Sequence, residues 1–125
     1  MALIRFDHVS VLAHEPTPVI SFYRDVLGFE LVQEREIKEM KMVIFDLKVR
    51  DDFIEVIQPV GQEMKMADGI KHIAFESDDI EADFKSFHAK GAKLVHKEVQ
   101  KFGNVAFFFI QAPTGEFVEI IQYFE

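Results

Sequence analysis

Two seven-residue segments of the chain alternate apolar and polar positions in nearly the same way. They read DFIEVIQ at residues 52–58 and EFVEIIQ at residues 116–122, so they lie 64 residues apart. The Phe, Glu, Ile and Gln positions are identical, and the other three are conservative exchanges. Because successive side chains of a strand point to opposite faces, each segment predicts a strand that carries one glutamate between two apolar side chains on the same face.

The similarity extends over both halves of the chain. The same separation of 64 residues relates HVSV, which begins at His8, to HIAF, which begins at His72. Two copies of this length are too few and too long for a solenoid and indicate a duplicated supersecondary module. We therefore expect one domain over residues 1–125 that consists of two modules, 1–62 and 66–125.

Each half predicts a strand, a helix and three further strands, which is an α+β fold of two tandem βαβββ modules. Residues 16–29 begin with Pro, carry apolar residues at helical spacing and reach Gly28, so they predict the first helix. Residues 78–91 predict the second helix, with Asp78 or Asp79 as the N-cap. Strands are expected at residues 4–13, 29–36, 41–49 and 52–59, and again at residues 70–77, 92–96, 104–112 and 116–122.

Composition narrows the possible chemistry. Because the chain has no cysteine, any metal ion must be bound by His, Asp or Glu. The net charge of −8 argues against a nucleic-acid partner, since phosphate binding relies on clustered Lys and Arg. No apolar run approaches the roughly 20 residues of a membrane helix, and the N-terminus lacks the features of a signal peptide. We therefore expect a cytoplasmic protein that acts on a small molecule and binds neither nucleic acid nor membrane.

Glu55 and Glu119 are candidate functional residues because each lies among apolar neighbours. A buried carboxylate must be paired or bind a cation, although either residue could instead face water on an edge strand. His8 and His72 are equivalent in the repeat, but a single strand histidine is more often a hydrogen-bonded residue than a ligand. As a set, the four predict a six-coordinate site for Ni, Co, Zn, Mn or Fe(II), with two positions left for water or substrate. The remaining histidines have no counterpart in the other half and are expected at the surface: His14, His88 and His96.

Five segments resemble the vicinal oxygen chelate superfamily, also called the glyoxalase/bleomycin resistance/dioxygenase superfamily. They are DHVSV, FYRDVLGFEL, DFIEVIQP, GIKHIAFES and PTGEFVEIIQ, and the resemblance covers essentially the whole chain. It implies that the two modules form a cup-shaped mixed sheet around one divalent metal ion, which chelates two neighbouring oxygens of a substrate.

The pattern His8, Glu55, His72 and Glu119 is similar to the metal ligand set of bacterial glyoxalase I, the lactoylglutathione lyase. This resemblance implies a lyase or isomerase that converts the hemithioacetal of a 2-oxoaldehyde, such as methylglyoxal, and a thiol to a 2-hydroxyacyl thioester through an enediolate. It also implies Ni or Co as the preferred ion, Glu119 as the catalytic base, and Glu55 as its catalytic partner on the opposite face of the substrate.

Other members of the superfamily provide two alternatives. Leu12 and Pro59 stand where bacterial glyoxalase I commonly carries an Arg and an Asn that bind glutathione. The identity of the thiol that forms the substrate therefore stays open. Methylmalonyl-CoA epimerase usually carries Gln at the position of Glu55 and a further catalytic Glu on a middle strand, where this chain reads MKMVIFD and offers no obvious acid. The other alternative is a noncatalytic drug-binding protein, but such proteins generally lack the complete ligand set.

The aromatic content predicts a homodimer. The chain has 14 phenylalanines, and the run at residues 107–109 places rings on both faces of one strand. This apolar surface exceeds what one open sheet and two helices readily cover. The family resemblance also implies a dimer.

Overall fold

The computed structural model describes residues 3–61, 67–113 and 115–125. The first half contains β1 (Leu3–Leu12), α1 (Pro16–Ser21), β2 (Glu30–Ile37), β3 (Met42–Val49) and β4 (Asp52–Pro59). The second half contains β5 (Gly69–Ser77), α2 (Ile80–Ala89), β6 (Lys93–Leu94), β7 (Gln100–Phe102), β8 (Val105–Gln111) and β9 (Phe117–Tyr123). The predicted α+β class is confirmed, with a strand, a helix and further strands in each half.

The chain divides into two compact units. The first unit comprises His8–Lys71, and the second comprises Met1–Asp7 together with His72–Glu125. Residues 62–66, where the two expected modules meet, lie outside the described residues. The single domain over residues 1–125 stays a prediction. Within the described ranges, no helix is long and apolar enough to cross a membrane.

The first unit contains a mixed sheet with one face covered by a helix. β2, β3 and β4 are antiparallel neighbours, whereas β1 lies parallel to β4 with His8 opposite Phe53. Because neighbours in a strand alternate between faces, Glu55 projects away from the face that carries the adjacent Val56. The Val56 face packs against α1 in a core of Ala13, Ile20, Leu47 and Val56.

The first helix differs in part from the prediction. Its α-helical part ends at Ser21, and Phe22–Val26 continue as a π-helical turn. The ring of Tyr23 in this turn packs edge to face on the ring of Phe29, which follows the turn, with centroids 5.5 Å apart. Gly28 ends the segment as predicted, with a φ of +85° that favours glycine. Apolar spacing indicates a helix in such a segment but does not distinguish an α-helix from a wider π-turn.

The second unit repeats this arrangement with a longer helix. β5 lies parallel to β9, with His72 opposite Phe117, and β9 lies antiparallel to β8. Glu119 therefore lies on the same face as Phe117. The opposite face packs against α2 in a core of Ile80, Ala106, Phe108 and Ile120.

Helix α2 begins where the sequence predicts. Asp79 is the N-cap, and its Oδ1 accepts a hydrogen bond from the Ala82 N–H at 3.2 Å. Gln122 of the repeated segment holds the same helix start. Its side-chain oxygen accepts from the Ile80 N–H at 2.9 Å, and its amide donates to the Asp78 carbonyl at 3.1 Å. The glutamine of the repeat thus links β9 to α2.

One short strand, β7, is missing from the predicted order. It forms a hairpin with β8 in which Phe102 lies opposite Val105, and Gly103 between them has a φ of +60°. The Gly-Asn pair in FGNV is a hairpin signal, but a strand of three residues is too short to show a clear alternation. β6 and β7 both pair with β8, so residues 95–99 interrupt this edge.

Candidate metal centre

His8 and Glu55 lie side by side in the first unit. The parallel register of β1 and β4 sets His8 opposite Phe53 and Ser10 opposite Glu55, so both side chains project from the same face. His8 Nε2 lies 3.3 Å from Glu55 Oε1, and the two side chains are 3% and 17% exposed. A nearly buried imidazole thus faces a carboxylate.

His72 and Glu119 form the equivalent pair in the second unit. The register of β5 and β9 sets His72 opposite Phe117 and Ala74 opposite Glu119, which repeats the arrangement of the first unit. His72 Nε2 lies 3.3 Å from Glu119 Oε1, and both side chains are largely buried. The sequence repeat therefore corresponds to a repeated His–Glu geometry.

The donor atoms of each pair suit a divalent metal ion. Imidazole nitrogens and carboxylate oxygens bind such ions at about 2.0–2.2 Å, so two adjacent ligands lie about 3 Å apart. The nitrogen–oxygen separation of 3.3 Å in each pair is close to that value. The structure thus brings His8 together with Glu55 and His72 together with Glu119. The sharing of one ion by both pairs stays a prediction.

Asp46 and Arg35 are two residues near Glu55 that sequence reasoning missed. Asp46 of β3 lies directly opposite Glu55 of β4, so the interpretation that MKMVIFD offers no obvious acid is wrong. Arg35 of β2 donates to both oxygens of Asp46 at 2.8 and 2.9 Å and to Glu55 Oε2 at 3.3 Å. Burial alone would lower the pKa of Arg35, but the hydrogen bonds and charges of Asp46 and Glu55 outweigh it and raise the pKa.

An aromatic side chain, Phe109, contacts the second pair instead. Phe109 of β8 lies opposite Glu119, and its ring packs edge to face on His72 with centroids 5.1 Å apart. The His96 ring packs against Phe107 and Phe109, with centroids 6.1 and 6.0 Å away. His96, which was expected at the surface, is half-buried on this aromatic face.

The structure also locates the other residues that the sequence singled out. Leu12 is a buried core residue, and Pro59 ends β4. His88 is exposed, as predicted. His14 is also exposed, and its Nδ1 lies 2.6 Å from Asp68 Oδ1. Hydrogen bonds from the side chain and backbone of His14 lower the pKa of Asp68.

Known proteins share both the sequence pattern and the fold. The family model described as the glyoxalase/bleomycin resistance protein/dioxygenase superfamily matches residues 5–120. The protein YwbC of Bacillus subtilis (strain 168) is 28% identical over 123 residues, which cover 94% of this chain and 97% of that protein. A probable lactoylglutathione lyase of Vibrio parahaemolyticus is 28% identical over 124 residues, covering 94% of this chain and 90% of that protein.

A solved structure shows the same fold. It is a variant of methylmalonyl-CoA epimerase from Streptomyces coelicolor in complex with 2-nitronate-propionyl-CoA. It matches with a TM-score of 0.85 at 23% identity, covering 98% of this chain and 99% of that chain. The chain belongs to the glyoxalase/bleomycin resistance protein/dioxygenase superfamily, because the family model spans nearly all of it. The resemblance stated from the sequence is confirmed.

Proposed function

We propose that the protein is a metal-dependent lyase or isomerase of the glyoxalase I type. The observation that carries this proposal is the repeated His–Glu pair, with a nitrogen–oxygen separation of 3.3 Å in both units. The 28% identity to a probable lactoylglutathione lyase supports it. The proposed reaction converts the hemithioacetal of a 2-oxoaldehyde and a thiol to a 2-hydroxyacyl thioester.

We propose that His8, Glu55, His72 and Glu119 bind one divalent metal ion, with Ni or Co preferred. When bound, the ion supplies Lewis-acid stabilisation of the negative charge that develops on the substrate oxygens. The carboxylates offset the charge of the ion, and the two imidazoles act only as ligands. Both glutamates are partly shielded from solvent, with side chains 17% and 11% exposed, which strengthens their electrostatic interactions.

Glu119 is proposed as the general base. It removes the proton from the carbon beside the carbonyl and returns a proton to the neighbouring carbon, so that it is regenerated in each cycle. Its side chain is 11% exposed, which limits proton exchange with bulk water. Glu55 is proposed as the catalytic partner of Glu119 on the opposite face of the substrate.

Activity measured with and without metal tests this proposal. The protein, loaded with Ni, is offered hemithioacetals of methylglyoxal with glutathione, with a cysteine-based thiol and with a sugar-linked thiol. We expect thioester formation with at least one thiol, loss of activity on chelation, and better recovery with Ni or Co than with Zn. Poor turnover with glutathione is expected, because Leu12 is buried and Pro59 offers no polar side chain. Metal-loaded protein that converts no adduct contradicts the glyoxalase assignment.

An epimerase of the methylmalonyl-CoA type is the second candidate, and Asp46 is the observation that favours it. Asp46 provides an acid on the middle strand β3, directly opposite Glu55. The epimerase ranks second because both oxygens of Asp46 already accept hydrogen bonds from Arg35. Exchange of the α-proton of methylmalonyl-CoA with solvent deuterium, followed by NMR, distinguishes the candidates. Exchange without turnover of any thiol adduct would replace the first candidate by the second. Binding of a hydrophobic small molecule without either reaction indicates a binding protein.

A further inference from the structure

The two His–Glu pairs differ in the residue that lies opposite the glutamate on the neighbouring antiparallel strand. On the neighbouring strand, Asp46 lies opposite Glu55 in the first pair, and Phe109 lies opposite Glu119 in the second pair. Arg35, which Asp46 holds, lies within 3.3 Å of Glu55, whereas the Phe109 ring packs on His72 with centroids 5.1 Å apart. The first module thus places a carboxylate opposite its glutamate, and the second module places an aromatic ring there.

The two carboxylate oxygens of Glu55 have different partners, Arg35 and His8. Oε2 accepts a hydrogen bond from Arg35 Nη2 at 3.3 Å, while Oε1 lies 3.3 Å from His8 Nε2. Arg35 is itself fixed, because its planar fork meets both oxygens of Asp46 at 2.8 and 2.9 Å. Rotation of Glu55 would break a charge-assisted contact and turn Oε1 away from His8.

We propose that Arg35 and Asp46 are positioning residues that keep Glu55 as a fixed metal ligand. This inference rests on the proposed function. Asp46 is only 9% exposed, so it needs a positive partner in the folded protein, and Arg35 provides the matching bidentate contact. The pair thus sets the direction of the Glu55 carboxylate.

Nickel affinity of Arg35 variants tests this role. Arg35→Met removes the charge and the fork, and Arg35→Lys keeps the charge but loses the bidentate geometry. Competition with a chromophoric chelator should show nickel binding about 10- to 100-fold weaker in Arg35→Met, the range found for residues that orient metal ligands. Arg35→Lys should recover part of that loss. Arg24→Met is the matched control, because Arg24 forms an exposed pair with its neighbour Asp25 and should leave nickel affinity unchanged.

The outcomes separate this inference from the proposed function. Wild-type protein that binds no nickel overturns the proposed function, and the inference falls with it. Wild-type binding with the same affinity in both Arg35 variants overturns the inference alone. Circular dichroism and a urea midpoint show whether each variant is folded, and Arg35→Lys keeps the test valid if Arg35→Met does not fold.

Discussion

At the scale of single residues, Glu119 is the side chain on which the proposed chemistry depends most directly. Glu119→Gln keeps an oxygen that can contact a metal but removes the base. Turnover should fall about 10²-fold or more while metal stays bound. Initial rates and metal content must be measured on the same sample, because loss of the ion alone would also lower the rate.

A surface glutamate provides the control for that substitution. Glu81 lies on the exposed side of α2, so Glu81→Gln should leave both turnover and metal content unchanged. If Glu119→Gln turns over within a few-fold of the wild type at equal metal content, another residue is the base. Glu55→Gln would then be the next variant to compare.

The sequence predicted both His–Glu pairs because the repeat relates His8 to His72 and Glu55 to Glu119, and strand alternation places each glutamate between apolar side chains. It did not reveal Asp46 and Arg35, since their role depends on pairing between strands. The hairpin of β3 and β4 sets Val49 opposite Asp52 and therefore Asp46 opposite Glu55. Counting back from that turn would have located Asp46. Arg35 comes from a third strand, whose register contains a bulge between Leu31 and Gln33 that no local pattern indicates.

At the scale of elements, the start of α2 depends on its N-cap. Asp79→Ala removes the hydrogen bond that Ala82 N–H donates to Asp79 Oδ1 at 3.2 Å. The free energy of unfolding should fall by about 1 kcal/mol, as is usual for an N-cap aspartate. Urea denaturation monitored by circular dichroism measures the change.

Asp78→Ala is the matched control for the N-cap. Asp78 is exposed, and Gln122 contacts its backbone carbonyl, which the substitution keeps. Its unfolding free energy should stay within about 0.5 kcal/mol of the wild type, as for most surface substitutions. Equal losses in both variants would show that Asp79 has no special role at the helix start.

The elements themselves could be predicted closely where a regular period extends over many residues. β4 matches its predicted range of 52–59, and β1, β3 and β9 deviate by only one residue at their ends. Prediction failed where the elements are short. β6 retains only two residues and β7 three, because residues 95–99 leave the edge of the sheet between them. Such short stretches are fixed by pairing with β8 and not by their own pattern.

At the scale of the whole molecule, the homodimer stays a prediction, and the exposed apolar side chains are candidates for its interface. Val26 and Leu27 of the first unit are 69% and 50% exposed. In the second unit, Leu3, Ile4, Phe6, Tyr123 and Phe124 are also exposed. Light scattering should give about twice the chain mass of 14.5 kDa at micromolar concentration, since apolar surface of this kind is normally covered by a partner. A mass of one chain across the micromolar range contradicts the dimer.

The number of metal ions per chain tests whether the two units act together. A pair of ligands alone leaves most of a six-coordinate shell unfilled, so we expect all four ligands to share one ion. Dialysed protein loaded with Ni should then hold about one ion per chain. His8→Ala and His72→Ala should each remove most of that metal, and the double variant should lose little more, since each substitution already disrupts the same site. Independent sites would instead bind two ions per chain, and each single variant would keep one. Elemental analysis of the four proteins decides between these results, and unchanged metal content in both single variants would end the four-ligand proposal.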